Sequence, residues 1–290
     1  MTKQEFATLA ENKVLLLDGA TGSNLILAGM PRGVPTETWV IEHPEVFIKL
    51  QQSYVEAGSD IVYAPTFAAN SVSLQNFELQ DQVRELNSQL VSISRQAVQG
   101  KALVAGDITT SGQLMVPRGD MTYERLFEVY KEQIEALAEA GVDLLVAETM
   151  LGVEETMVAL DAASAVCELP MMCTLTLEAD GTALYGGNAV EAVETLQEMG
   201  AAAVGLNCSV GPDQLESVIR NMKKAAHVPI IAKPNAGMPV INEKGEAIYN
   251  MDVAAFGRYM KVLVEAGAGI IGGCCGTDAE YIRELRKVIN

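Results

Sequence analysis

Glu139-Ala140-Gly141-Val142-Asp143-Leu144-Leu145-Val146-Ala147-Glu148-Thr149 contains in one short stretch the unit from which the chain is built. The glycine stops the long amphipathic pattern of Tyr123–Ala140, as a left-handed C-terminal cap does. The run 142–147 is almost continuously apolar, as a parallel strand buried on both faces must be. A polar pair, Glu148-Thr149, follows at once. The same Glu-Ala-Gly signal recurs as Glu56-Ala57-Gly58 before the apolar run 60–64, and as Glu265-Ala266-Gly267 before Ala268–Ile271.

Working outward, further strand patterns occupy Val14–Leu17, Ala102–Ala105, Met171–Leu177, Ala202–Leu206 and Val228–Ala232. Helical spacings fill 45–57, 81–98, 154–166, 189–199, 213–225, 253–266 and 278–289. Eight strands thus alternate with helices, and no Gly/Ser/Pro-rich linker cuts the chain. That pattern predicts an α/β fold, a single (β/α)8 TIM barrel forming one domain over 1–290. The 290 residues suit it, and a composition that is 49% hydrophobic supplies a large core.

Polar and reactive residues collect just past the strand ends: Asp18, Thr66, Asp107, Glu148, Asn207-Cys208, Asn235 and Cys274-Cys275. In a barrel these positions converge on the face that carries active sites. Two adjacent cysteines in Gly272-Gly273-Cys274-Cys275-Gly276-Thr277 gain little from packing but suit a soft metal held in a tight turn. Cys208, in Gly205-Leu206-Asn207-Cys208-Ser209, completes a three-thiolate set that favours zinc and leaves a fourth position open. The competing reading of these three is as small buried hydrophobes. Cys167 and Cys173 fall at a helix end and inside a strand and read as structural. Asp18 can alternatively cap the turn after its strand, and Glu148 can be a salt-bridged barrel residue. His43 and His227 stand outside any ligand spacing, which disfavours a barrel hydrolase built on histidine and carboxylate ligands.

A formal charge of −18 argues against nucleic acid or an anionic membrane as partner. No apolar run reaches the ~20 residues of a membrane span, and Met1–Lys13 has no secretory pattern. Five cysteines, an odd number, do not form a disulfide framework, so a reducing, cytoplasmic setting is expected.

The chain resembles the homocysteine S-methyltransferase family, including the homocysteine-binding module of cobalamin-dependent methionine synthases. The matching pieces are Leu17-Asp18-Gly19-Ala20-Thr21-Gly22, Gly119-Asp120 with its following helix, and Glu148-Thr149-Met150. The others are 205–209 with Gly211-Pro212, Pro234-Asn235-Ala236-Gly237, and the 272–277 block. The resemblance implies that Cys208, Cys274 and Cys275 ligate zinc and form the catalytic centre, with homocysteine as a fourth, thiolate ligand. It points to Asp18 and Glu148 as acceptors for the substrate ammonium; the amides around Gly19 and Ala20 suit its carboxylate. Thr66 and Asn207 are further candidate substrate contacts, and Asn235 a side-chain oxygen for zinc when substrate is absent.

Three stretches depart from the methionine-synthase pattern. Asn-Thr-Phe-Asn becomes Ala64-Pro65-Thr66-Phe67-Ala68-Ala69-Asn70; Gly-Pro-Thr-Gly becomes Thr109-Thr110-Ser111-Gly112; and Ser-Asp after Glu-Thr-Met becomes Leu151-Gly152. These bear on the methyl donor. Because the sequence holds neither a folate barrel nor a corrinoid domain, the expected donor is methylcobalamin on a separate corrinoid protein. S-methylmethionine or a betaine, another thiol acceptor, or a zinc-dependent thiol-binding module without turnover are the alternatives.

Overall fold

The computed structural model describes residues 1–242 and 247–289. Eight parallel strands form the barrel wall. In chain order they are β1 (Leu15–Leu16), β2 (Ile61–Tyr63), β3 (Leu103–Ile108), β4 (Leu144–Met150), β5 (Met171–Leu175), β6 (Ala203–Cys208), β7 (Ile230–Pro234) and, after a small antiparallel hairpin β8 (Val240–Ile241) and β9 (Ala247–Ile248), β10 (Ala268–Ile271). The ladder runs β1-β10-β7-β6-β5-β4-β3-β2, every pairing parallel. Each expected strand is present, and the (β/α)8 barrel stands. The hairpin between β7 and β10 had no counterpart in the sequence reading.

The ring closes between β1 and β2 through one backbone bond and three side-chain bonds. Asp60 donates its N–H to Leu16 O at 2.7 Å, and its carboxylate accepts the Leu16 N–H at 2.9 Å. Higher up, the Ser59 hydroxyl donates to Leu17 O, and Asp18 Oδ2 accepts the Tyr63 N–H at 2.8 Å. Lys13 and Arg286 neutralise Asp60 at the lower end. Two aspartates therefore replace the ladder bonds of a seam that the short β1 cannot make alone.

Successive side chains of a strand point to opposite faces. The outward set, including Leu16, Val62, Val104, Leu145, Cys173, Val204 and Ile230, packs beneath the helices in the large outer core. The inward set forms a second core of Leu15, Leu17, Ile61, Ala105, Leu144, Val146, Met172, Ala203, Ile231 and Ile270. Continuing the same parity toward the strand C-termini gives Tyr63, Asp107, Glu148, Thr174, Asn207 and Lys233, all buried. The barrel interior is thus apolar below and polar in one layer at the top.

Its floor is a helix, Lys3–Asn12, which the sequence reading passed over as polar chain. Thr2 and Glu5 form a reciprocal capping box that starts it. Its single fully buried side chain, Phe6, joins the inner core, flanked by the partly buried Leu9 and Ala10. Only one face of one amphipathic turn is apolar, so composition hides the element. Short helices Gly22–Leu27 and Thr36–Glu42, before β2, and Ser71–Gln75, after it, build one wall of the mouth.

Close strand approach demands Gly205. A Cβ there would lie 2.6 Å from Ile231 Cα, its register partner on β7, where real contacts do not occur. Gly205→Ala is therefore expected to push β6 from β7 and cost about 1–3 kcal/mol, the range for overpacking a filled core. A denaturant titration checks this, the expected outcome being a lower midpoint at unchanged slope.

Candidate metal centre and substrate pocket

Cys208 ends β6 and Cys274-Cys275 follow β10, one strand position away on either side of β7. The three sulfurs lie within 4.8 Å of one another, with Cys208 and Cys275 4.0 Å apart. A tetrahedral zinc with ~2.3 Å bonds sets its sulfurs ~3.8 Å apart, so the trio fits that ion. Cys167 and Cys173 lie outside the cluster, and burial pushes the Cys173 thiol up to about 12.

The backbone is bent to bring these thiols together. Cys208 and Ser209 both take left-handed φ values, +61° and +49°. Such conformations cost non-glycine residues roughly 1–2 kcal/mol each. The bend is held by Asn235, whose amide donates to Ser209 O at 3.1 Å, and by the Asn235 N–H bond to Val210 O. On the other side, Gly272 lets the chain pass where a Cβ would be 2.8 Å from Leu17 Cβ. The Cys274 N–H donates to Pro234 O at 2.7 Å, and Thr277 closes the turn by donating its hydroxyl to Cys274 O at 2.7 Å. Through their mutual hydrogen bonds the Cys275 thiol is drawn down and the Cys208 thiol driven up.

Beside the sulfurs, Lys233 reaches into the mouth from β7. Its Nζ stands 3.1 Å from Glu148 Oε1, 3.6 Å from Asp18 Oδ1 and 5.0 Å from the centre of the Tyr63 ring. The side chain is only 4% exposed. Burial works to lower its pKa, but Glu148, Asp18 and Cys274 outweigh burial and hold the ammonium well above its ordinary value. Burial raises the three neighbouring carboxyl groups. Asp18 is pushed up to about 6 against the pull of Lys233, Glu148 is raised in the same way, and Asp107 is raised further by the charge of Glu148. Lys233 stands just before the motif Pro234-Asn235-Ala236-Gly237 and has no role in the sequence pattern, because a lysine at a strand end normally faces solvent.

The remaining expected site residues divide. Asp18, Gly19, Ala20, Glu148, Cys208, Cys274 and Cys275 line one cavity of about 460 Å³, with Tyr63, Asp107, Thr149 and Lys233. Glu148 also fulfils its alternative reading, being salt-bridged, whereas Asp18 accepts the Tyr63 N–H across the barrel seam rather than capping the turn after its own strand. The Ala20 N–H already donates to Thr277 Oγ1 at 3.2 Å. Thr66 is fully buried behind the mouth; its hydroxyl donates to Asp107 O and accepts the Asp107 N–H, splinting β2 to β3. Asn207 accepts the Thr149 N–H at 2.9 Å where the β4–β5 ladder shifts register, donates to Thr149 Oγ1, and has Nδ2 3.8 Å from Cys274 Sγ. Asn235 is buried with its Oδ1 lacking a partner, and it stands outside the cavity lining.

The outer cavity wall is apolar, formed by Val34, Pro35, Phe67 and Phe77, all but Pro35 more than a third exposed. The departure Thr109–Gly112 faces elsewhere: Thr110 and Ser111 donate to the buried carboxylate of Glu155, as does Tyr130. Among the described residues no helix is long and apolar enough to cross a membrane.

Comparison with known proteins agrees with this layout. The chain is 28% identical to the methionine synthase of Mycobacterium leprae over 97% of its own length, and 26% identical to that of Mycobacterium tuberculosis over 96%. It spans about a quarter of the length of either relative, 25% in both cases. Among solved structures, the metallated form of the homocysteine methyltransferase MmuM from Escherichia coli superposes with a TM-score of 0.81 at 22% identity, covering 97% of this chain and 98% of that one. The carboxyl transferase domain of Rhizobium etli pyruvate carboxylase shares only the barrel, at a TM-score of 0.55 and 12% identity. The sequence model of homocysteine S-methyltransferases matches residues 15–289, and the chain belongs to that family.

Proposed function

We propose that this protein transfers a methyl group to the sulfur of homocysteine, giving methionine, in a reducing cytoplasmic setting where its thiols stay free. The observation that carries this reading is the trio of cysteine sulfurs at the edge of a cavity lined by buried carboxylates. Cys208, Cys274 and Cys275 would hold zinc. A zinc ion held there would supply Lewis acidity that favours the thiolate form of an incoming thiol at neutral pH.

The chain's own residues bind and orient the acceptor. Asp18 and Glu148 make the mouth attractive to an ammonium, while the Gly19 N–H, next to an Ala20 N–H already bonded to Thr277, is the backbone donor for a carboxylate. Asn207 fixes Thr149 and approaches Cys274, so it keeps the sulfur in place. Sulfur supplies the electron pair for the new S–CH3 bond, and the donor leaves with the pair of the broken bond.

A methylated corrinoid protein is the donor this reading favours. Similarity to methionine synthases supports it, as does the apolar, partly exposed rim. Small cationic donors gain most from a cage of aromatic faces. Here the Tyr63 ring already lies under Lys233, the Tyr249 hydroxyl bonds Cys275, and among the described cavity-lining residues Phe67 and Phe77 are the aromatics left on the rim.

Three outcomes are expected. Purified protein should carry about one zinc per chain, most of it lost in Cys208→Ser, Cys274→Ser or Cys275→Ser and kept in Cys167→Ser; metal analysis after dialysis reads this, and full occupancy in Cys275→Ser rules the site out. Glu148→Gln should retain zinc yet bind homocysteine about tenfold more weakly, the scale of one charged hydrogen bond, as measured by calorimetry. Methionine should form from homocysteine with methylcobalamin or a methylated corrinoid protein; turnover with S-methylmethionine or betaine alone would reassign the donor and leave the acceptor half intact.

A further inference from the structure

Three cysteinates on a divalent ion leave a metal centre with net negative charge, and a fourth thiolate adds to it. Asp18, Glu37, Asp107 and Glu148 line the same cavity, against the ammonium of Lys233. Such a centre needs neutral donors on its sulfurs, because outer hydrogen bonds orient the ligands and draw off their charge. Cys274 has one in the Asn207 amide, whose Nδ2 lies 3.8 Å from its sulfur. Cys275 has another in the Tyr249 hydroxyl, which hydrogen-bonds its sulfur. Among the described residues Cys208 bonds only the other two sulfurs.

Tyr249 follows β9 directly, and its place is fixed from two sides. Its ring lies on Gly276, where a Cβ would be 2.5 Å from Tyr249 Cβ and Cγ, so only glycine leaves room. Two residues on, the Met251 N–H donates to Ala236 O at 3.1 Å, and the Tyr281 hydroxyl donates to Met251 O at 2.6 Å. Ala236 in turn donates its N–H to Cys275 O at 2.9 Å. Tyrosine and cysteine are thus parts of one hydrogen-bonded unit. Tyr249 is half-buried and stands outside the cavity lining, so it acts on the sulfur and not on a substrate.

Resting on the reading of the three cysteines as zinc ligands, we propose that Tyr249 is a positioning residue whose hydroxyl makes the Cys275 sulfur a poorer nucleophile. An incoming thiolate is then the sulfur that takes the methyl group. A thiolate whose lone pair is shared with a hydroxyl attacks carbon less readily than one left bare. The acceptor sulfur enters from the cavity, which Tyr249 does not line. Tyr249 thus guards the centre against alkylating its own ligand, which would turn a thiolate into a thioether and weaken the metal site.

The test uses Tyr249→Phe, which keeps the ring on Gly276 and removes the hydroxyl. In cobalt(II)-loaded protein its sulfur-to-metal charge-transfer band should move to lower energy, since the sulfur lone pair loses its donor. With zinc bound, iodoacetamide serves as the electrophile, releasing iodide as the S–C bond forms, and peptide mass spectrometry reads each cysteine. Cys275 should be alkylated about tenfold faster than in wild type and Cys208 within about twofold, the scale of one hydrogen bond to a charged group. Tyr249→Leu gives the same comparison if the phenylalanine variant does not fold. An unmoved band, an unchanged rate at Cys275, or equal acceleration at all three cysteines, the mark of metal loss alone, overturns the role of Tyr249. A wild type that takes up neither cobalt nor zinc overturns it too, and also removes the ligand reading on which it rests.

Discussion

Alternation along a parallel strand is the constraint on which everything in this molecule depends. Once the strands are bent into a ring, every second side chain must enter a closed space. Apolar residues fill that space up to the level of Val146 and Ile231. Above it the same parity admits Asp107, Glu148, Asn207 and Lys233. The site is the topmost inward layer of the barrel, and its members need no special loop to converge.

Electrostatics in that layer are arranged for binding more than for stability. The Lys233–Glu148 attraction at 3.1 Å is on the order of 5 kcal/mol at an effective dielectric of 20. Desolvating the two ions costs several kcal/mol apiece, so the pair roughly breaks even. Its value lies in keeping a charged group fixed in a dry place. The left-handed backbone at Cys208 and Ser209 belongs to the same pattern: local strain, held by Asn235, that aims a thiol.

Much of this was legible from sequence. Apolar runs mark the barrel strands, several of them after glycine-stopped helices, and the paired cysteines stand out against their glycines. What escaped did so for physical reasons. Lys233 is buried only because acids from β1 and β4 meet it, and no local pattern encodes that meeting. The floor helix hides behind a single buried Phe6. Thr66 and Asn207 occupy positions indistinguishable in sequence from substrate contacts, yet their hydrogen bonds go to Asp107 and Thr149. The substituted stretch 109–112 has a structural account: the Thr110 and Ser111 hydroxyls bind Glu155, and the Thr109 hydroxyl binds Glu148 O, both on the following βα unit.

The seam between β1 and β2 gives Asp18 two masters. The same carboxylate fastens the barrel at Tyr63 and contributes charge to the cavity. Substitutions there are pleiotropic, because a change that retunes ligand preference also unfastens the wall. Lys233 is burdened in another way, as the buried counter-ion of both Asp18 and Glu148. Divergence of ligand preference within this scaffold is therefore closed at Asp18, where the wall and the cavity share one side chain.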